Sequence, residues 1–474
     1  MRLMIAGGGG FRVPLVYRAL CTGPFAGLVS ELVLFDVDAQ RLQAIQAVLR
    51  DMPTAPGSGP VVVACSDLGQ ALTGTDVVFA AIRPGGTAGR IADERVALDL
   101  GLLGQETTGA GGISYALRSI PRMLELARAM RRYCPDAWLI NFTNPAGMVT
   151  EALVPVLGSR VIGICDSAGG LAQRAARAAG FPLEEGNLDG VGYYGLNHLG
   201  WLYRLAPGGE DLLPGLLADP AALESMEEGR LFGQHTLEKL GCLPNEYLYY
   251  YYRTSQATQA IRGQRQTRGA SIHQQQHSLY PDLVRAADAY ALWDAARRSR
   301  EEGYLAEART HGEQRDESDL AGGGYERVAL AVMRALSVGS IGSVGSVGGT
   351  AQLILNVPNA PVLPAESLHL AEVAVPGLPP DAVVEVPSQV TPDGAVAVAQ
   401  ERPPGPFLTL MQHVKEVERL TIRAVRDHDR EAAVQAFAVH PLVGSEPLGR
   451  QLLAGYEEAF PALAGLWGSV PGRD

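Results

Sequence analysis

The chain has 474 residues, of which 47% are hydrophobic and 19% charged, and its formal net charge is −12. That length accommodates two or three domains around large cores. The acidic balance argues against a nucleic-acid-binding surface, which needs clustered Lys and Arg, but leaves room for a local basic pocket.

The opening MRLMIAGGGG is too short in its apolar part for a signal peptide, and no stretch reaches the ~18 apolar residues of a membrane span. The expected location is the cytoplasm, with no membrane partner. The five cysteines (Cys21, Cys65, Cys134, Cys165, Cys242) are odd in number and form no CxxC pair, as in a reducing compartment.

In chain order, RLMIA (2–6) predicts a strand that enters glycines, and VPLVYRALC (13–21) has helical spacing. ELVLFDVD (31–38) is a second strand and AQRLQAIQAVLRDM (39–52) an amphipathic helix. VVVAC (61–65), DVVFAAI (76–82) and AWLINFT (137–143) are further strands, with a long helix over 113–134. Apolar, β-branched strands alternating with helices predict an α/β fold: a doubly wound parallel sheet of Rossmann type in residues 1–160. Residues 161–474 read as a mixed α/β (α+β) second domain. There RVIGIC is a strand, GYYGLNHLGWLYRL (192–205) one half-buried strand, and 282–303 one helix. SVGSIGSVGSVGG (337–349) is a low-complexity loop, VVEVPSQV (383–390) a strand and 410–442 a helical pair.

Gly7 and Gly9 occupy the first two positions of a G-x-G turn between the first strand and its helix. Such a turn brings a pyrophosphate to a helix N-terminus. Arg12 stands where the third glycine belongs. Asp36, at the end of the second strand, suits the ribose hydroxyls of NAD.

Unusual polar residues concentrate in GLLGQETTGAGG, NFTNPAG, GICDS, GLNHLGW and LPNEYLYYYYRT. With LFDVD, IRPGG, VVEVP and VKEVERLT, these stretches resemble glycoside hydrolase family 4, specifically its 6-phospho-β-glucosidase group, in the family's order along nearly the whole chain. The resemblance implies a lactate/malate dehydrogenase-like fold and an NAD-dependent exception to two-carboxylate glycoside hydrolysis. It implies oxidation at sugar C3, proton removal at C2, elimination of the aglycone, water addition and re-reduction. The implied cofactors are NAD+ and a divalent metal, usually Mn2+. The implied substrate is a phosphorylated disaccharide or aryl glucoside, and the implied assembly a homodimer or homotetramer.

Carried over to this sequence, Cys165 and His198 match the metal ligands; a thiolate and an imidazole suit a transition ion. Tyr247 matches the catalytic base, with Tyr251 as second choice in the tyrosine run. A phenol titrates near 10, so a base role requires a nearby cation. Asp166 is the candidate acid for the leaving oxygen, with a helix N-cap as its bland alternative. Gly7, Gly8, Gly9, Gly10, Phe11, Asp36, Arg83 and Asn141 are the expected cofactor residues, with Thr143 beside Asn141, and Glu106 and Thr107 shaping that pocket. Arg83, Asn144 and Arg268 are expected on the substrate; Arg262 and Arg265 are spares for its phosphate.

The chain departs from the family at GGGGFRVP, where Gly10 replaces a hydroxyl residue, and at CDSAGG. Two alternatives stay open. One is a family enzyme for α-linked or unphosphorylated glycosides or uronides. The other is a plain NAD-dependent 2-hydroxy-acid dehydrogenase, which would lack a Cys/His metal pair.

Overall fold

The computed structural model describes residues 1–55, 57–303, 308, 324–337, 349–362 and 372–468. Within them, twelve strands form one sheet. The first six are β1 (Arg2–Ala6), β2 (Glu31–Phe35), β3 (Val61–Cys65), β4 (Val77–Ala80), β5 (Trp138–Asn141) and β6 (Val161–Gly163). They lie in the order β3-β2-β1-β4-β5-β6, all parallel, which is the doubly wound dinucleotide-binding order. The parallel sheet therefore extends past residue 160 into RVIGIC.

The remaining strands are β7 (Val191–Leu196), β8 (Leu199–Leu205), β9 (Leu243–Pro244), β10 (Ala351–Pro358), β11 (Val383–Thr391) and β12 (Gly394–Ala397). The sheet continues without a gap from β6 through β10, β11, β7 and β8 to β9, each neighbour antiparallel, and β12 flanks β11. Asn356 pairs with Gly163 where the two halves meet, and Glu385 pairs with Gly195 one step further on.

The strand periodicity divides the core. Leu3 and Ile5 of β1 point to one face, Met4 and Ala6 to the other, and all four are buried. The first face packs under helices Val13–Cys21 and Ala39–Asp51; the second packs under Ala110–Tyr133, Ala146–Leu157 and Gly405–Arg426. Asp38 starts the helix Ala39–Asp51 by accepting the Gln40 and Arg41 N–H groups at 3.0 and 3.1 Å. The VKEVERLT motif has a structural role. Lys415 Nζ donates to Glu151 Oε2 at 2.7 Å and to the Val383 carbonyl at 2.8 Å, and pairs with Glu418. These buried charges fix the start of β11 to two helices.

Two expectations are corrected. GYYGLNHLGWLYRL is a hairpin: β7 and β8 are joined by Asn197–His198, and His198 has φ of 63°. Apolar residues continue on both sides of this turn, so alternation alone does not reveal it. The stretch 282–303 is two helices, Arg268–Arg285 and Ala289–Glu302. Asp288 caps the second by accepting the Ala291 N–H. Residues 338–348 of the expected Gly/Ser loop lie outside the described residues.

His440 lies buried beyond the end of helix Arg430–Val439, and its Nδ1 accepts the Leu442 N–H at 3.0 Å. Burial pushes this imidazole down to about 4. The unfolded chain takes up a proton below its usual ~6.5 while the folded chain stays neutral, so folding stability falls as pH drops from ~6.5 to 4. His440→Asn keeps an acceptor without the titration. In urea unfolding, the parent should lose up to about 3 kcal/mol relative to this variant across that window. Parallel profiles for the two proteins would contradict this account.

Candidate active site

A groove of about 2160 Å³ runs along the sheet where the parallel strands end. Gly7 follows β1, Asp36 follows β2, Ile82 and Arg83 follow β4, Asn144 follows β5, and Cys165 and Asp166 follow β6; all line it. Ligands of doubly wound sheets bind at this edge because every strand delivers a loop there.

At one end is the glycine turn. Gly7 (φ 94°) and Gly8 both donate to the Phe35 carbonyl, at 2.9 and 2.8 Å, and Gly10 donates back to Gly7. Asp36 accepts the Gly9 N–H at 2.9 Å through Oδ2 and the Asp38 N–H at 3.0 Å through Oδ1. Gly7, Gly10 and Phe11 border the groove. Gly8 and Gly9 do not. A β-carbon on Gly9 would meet Arg41 Cβ at 2.6 Å, and one on Gly8 would meet Leu34 Cα at 2.7 Å, so these two are glycine to let the chain pack on itself. The Phe11 and Arg12 N–H groups, at the mouth of helix Val13–Cys21, take no acceptor among the described residues. Their carbonyls are held from the far half of the chain. Tyr280 donates to Gly9 O, Trp293 to Phe11 O and Tyr325 to Arg12 O, at 2.8, 2.8 and 2.7 Å. Arg12, in place of the third glycine, pairs with Glu301 at 3.1 Å.

Mid-groove, Glu106 gathers arginines. Arg83 reaches one carboxylate oxygen and Arg90 the other, each at 2.5 Å; Arg90 also pairs with Glu94 at 2.9 Å. Burial alone would raise the Glu106 pKa, but Arg83, Arg90, Arg268 and Arg300 outweigh it and bring the carboxyl down to about 2. Arg268 donates to the Gly303 carbonyl. Arg300 has a buried Nε with no partner. Burial, then Arg12, Arg268 and Arg90, push its pKa down to about 9. This region carries more guanidinium than carboxylate, the electrostatics of an anion site.

Cys165, Asp166, His198 and Tyr247 also line the groove. His198 is buried, its ring stacks on Tyr247 at 3.7 Å between centroids, and its Nδ1 has no partner. Burial drives this imidazole down to about 3, with Glu106 opposing, so it is neutral and able to bind a cation. Its left-handed backbone is costly for a residue other than glycine, by about 1–3 kcal/mol, and such strain concentrates at functional sites. Burial first, then Glu385 and Asp166, raise the Cys165 thiol well above its usual range. Among the described residues no three His, Cys, Asp or Glu side chains form a metal cage. Asn144 lines the groove with a buried Oδ1 that lacks a partner. Asp166 sits at the head of helix Ser167–Ala178, but its side chain caps nothing there.

Some expected residues lie elsewhere. Asn141 is fully buried: Nδ2 donates to Thr143 O, Ala146 O and Thr150 Oγ1, and Oδ1 accepts the Thr143 N–H. It shapes the 141–146 loop instead of touching the groove. Thr143 Oγ1 likewise accepts the Ile82 N–H. Tyr251 packs near His440, off the groove, and Arg262 and Arg265 are exposed. Glu106 and Thr107 do line the groove. Arg90, Arg300, Tyr280, Trp293 and Tyr325 had no motif to single them out; they reach the site only through helix packing.

Removing Glu106 would leave Arg83 without its carboxylate partner and Arg90 with Glu94 alone. Breaking a buried pair this way costs about 3–5 kcal/mol. Glu106→Ala should lose about that much in urea unfolding and recover part of it in added inorganic phosphate. Parental stability in phosphate-free buffer would contradict the anion-site reading.

Residues 2–181 match the family 4 glycosyl hydrolase domain, and residues 193–443 its C-terminal domain. A probable 6-phospho-beta-glucosidase of Bacillus subtilis (strain 168) is 26% identical over 478 residues, covering 98% of this chain and 97% of that protein. A 6-phospho-alpha-glucosidase of Leptotrichia buccalis is 27% identical, covering 96% of this chain and 97% of that protein. The 6-phospho-alpha-glucosidase 1 of Lacticaseibacillus paracasei is 38% identical over 216 residues; that match spans 45% of this chain and 48% of that protein, about half of each. The solved 6-phospho-beta glucosidase of Thermotoga maritima, with NAD and glucose-6-phosphate, superposes with a TM-score of 0.76 at 24% identity, covering 98% of this chain and 99% of that one. A 6-phospho-alpha-glucosidase from gut microorganisms, in complex with NAD and Mn2+, gives 0.74 at 24% identity, covering 99% of each. With both domains matched over most of its length, in the order and at the groove described above, the chain belongs to glycosyl hydrolase family 4.

Proposed function

We propose that this chain hydrolyses 6-phosphoglucosides with NAD+ and a divalent metal, Mn2+ first among candidates, as resident cofactors. One observation carries the reading: the glycine turn with Asp36, the arginine cluster, and the Cys165, His198 and Tyr247 group all line a single groove.

The residues present fit both groups. The free Phe11 and Arg12 N–H groups suit a pyrophosphate, and Asp36 suits a ribose. Cys165 and the open Nδ1 of His198 would hold the ion. When bound, NAD+ supplies reversible oxidation of a sugar alcohol, and the ion supplies positive charge beside it. Arg83, Arg268 and Arg300 would hold the 6-phosphate against displacement. Asn144 Oδ1 would accept a sugar hydroxyl. Tyr247, stacked on His198, would take the C2 proton, and Asp166, adjacent to Cys165, would deliver a proton to the departing glycosidic oxygen. The five cysteines are all free, which favours a cytoplasmic setting, and no described helix is long and apolar enough to cross a membrane. Full-length relatives carry both anomeric names, so the reaction is stated for 6-phosphoglucosides as a class.

The test uses p-nitrophenyl α- and β-glucoside 6-phosphates with NAD+, Mn2+ and a thiol reductant. Nitrophenol release from at least one anomer, without net NADH, is expected. Cys165→Ser should lose ion binding and lower kcat/KM by about 100-fold or more. Arg268→Ala should raise KM for the phosphorylated substrate much more than it lowers kcat. Net NADH from a 2-hydroxy acid, with no aglycone released, would replace this reading with the dehydrogenase.

A further inference from the structure

The VVEVP stretch carries a carboxyl group, Glu385, that is 1% exposed. Glu385 accepts three hydrogen bonds: from Asn197 Nδ2 and Asn356 Nδ2 on Oε1, at 3.3 and 3.2 Å, and from the Tyr193 hydroxyl on Oε2, at 3.0 Å. A β-carbon on Gly200 would collide with that hydroxyl, so the hairpin keeps glycine there and Tyr193 can cross to Glu385. Asn197 looks both ways. Its Oδ1 accepts the Ala146 N–H at 3.0 Å, which ties down the loop carrying Asn144. Its own backbone leads directly into His198. The far end of this support is fixed as well: at Val383 the N–H donates to Glu151 at 2.8 Å and the carbonyl accepts from Lys415.

We propose that Glu385 is a positioning residue: through Asn197 it holds the strained His198 turn and the Asn144 loop in mutual register. Glu385 does not line the groove. It acts on the ion through the shape of the turn. The backbone of His198 is left-handed, so the turn needs an outside constraint, and the carboxyl group supplies it from a different strand.

The proposal rests on the metal reading above, and the test separates the two. Mn2+ binding to the full-length protein is measured by electron paramagnetic resonance of the free ion, with NAD+ and glucose 6-phosphate at fixed saturating concentration. Glu385→Leu and Asn197→Ala should each weaken Mn2+ binding about 10- to 100-fold. The double variant should lose no more than the worse single one, because both changes break the same link. Glu385→Gln should stay within about threefold of the parent. Its amide oxygen can accept from both asparagines and its NH2 can donate to Tyr193. Circular dichroism checks the fold of each variant, and if the leucine variant does not fold, Asn197→Ala decides. Parental affinity in a folded Leu or Ala variant would overturn the proposal. A loss in Glu385→Gln as large as in Glu385→Leu would also overturn it, since charge and not geometry would then be the cause. A parent that binds no Mn2+, or a Cys165→Ser protein that binds it as well as the parent, would remove the metal reading and this proposal with it.

Discussion

The arrangement of the groove depends on three hydrogen bonds that each span more than half of the chain. Tyr280, Trp293 and Tyr325 each donate to a carbonyl of the glycine turn. A turn this rich in glycine has little intrinsic preference for one conformation, and ordering it is entropically expensive. The aromatic donors fix it from outside. In doing so they lock helices Arg268–Arg285, Ala289–Glu302 and Tyr325–Leu336 against the N-terminal half. Those same helices bring Arg268 and Arg300 to Glu106. The order of the glycine turn and the charge of the arginine cluster are thus two results of one packing arrangement.

Electrostatics within the groove follow from burial. An isolated buried carboxylate is costly, yet Glu106 stays ionised because four guanidinium groups surround it. His198, with no such carboxylate in contact, is driven to its neutral form. Burial likewise holds the Cys165 thiol in its protonated form.

Much of this was legible in the residues. The alternation of β1, β2, β4 and β5 with helices identifies the parallel sheet, and Gly7, Gly10 and Asp36 do lie on the groove at its edge. Cys165, Asp166, Asn144 and Tyr247 come from motif resemblance, and all reach the groove. Less legible were features set by tertiary contact. Asn141 sits in the same motif as Asn144, but its amide is consumed by backbone groups of its own loop, and no local pattern distinguishes the two. The hairpin at His198 hides because its turn is a non-glycine residue with positive φ, a poor turn signal in one dimension. Arg90 and Arg300 read as ordinary helical arginines until distant helices pack together.

One consequence follows from the unbroken sheet. Backbone pairing passes from β6 to β10 and on through β11 to β7, so the half that carries the glycine turn and the half that carries His198 share a single hydrogen-bonded ladder. Swinging these halves apart like jaws would tear interior strands. The spacing between the glycine turn and His198 is therefore built into one continuous floor, and is not set by a hinge between the two halves.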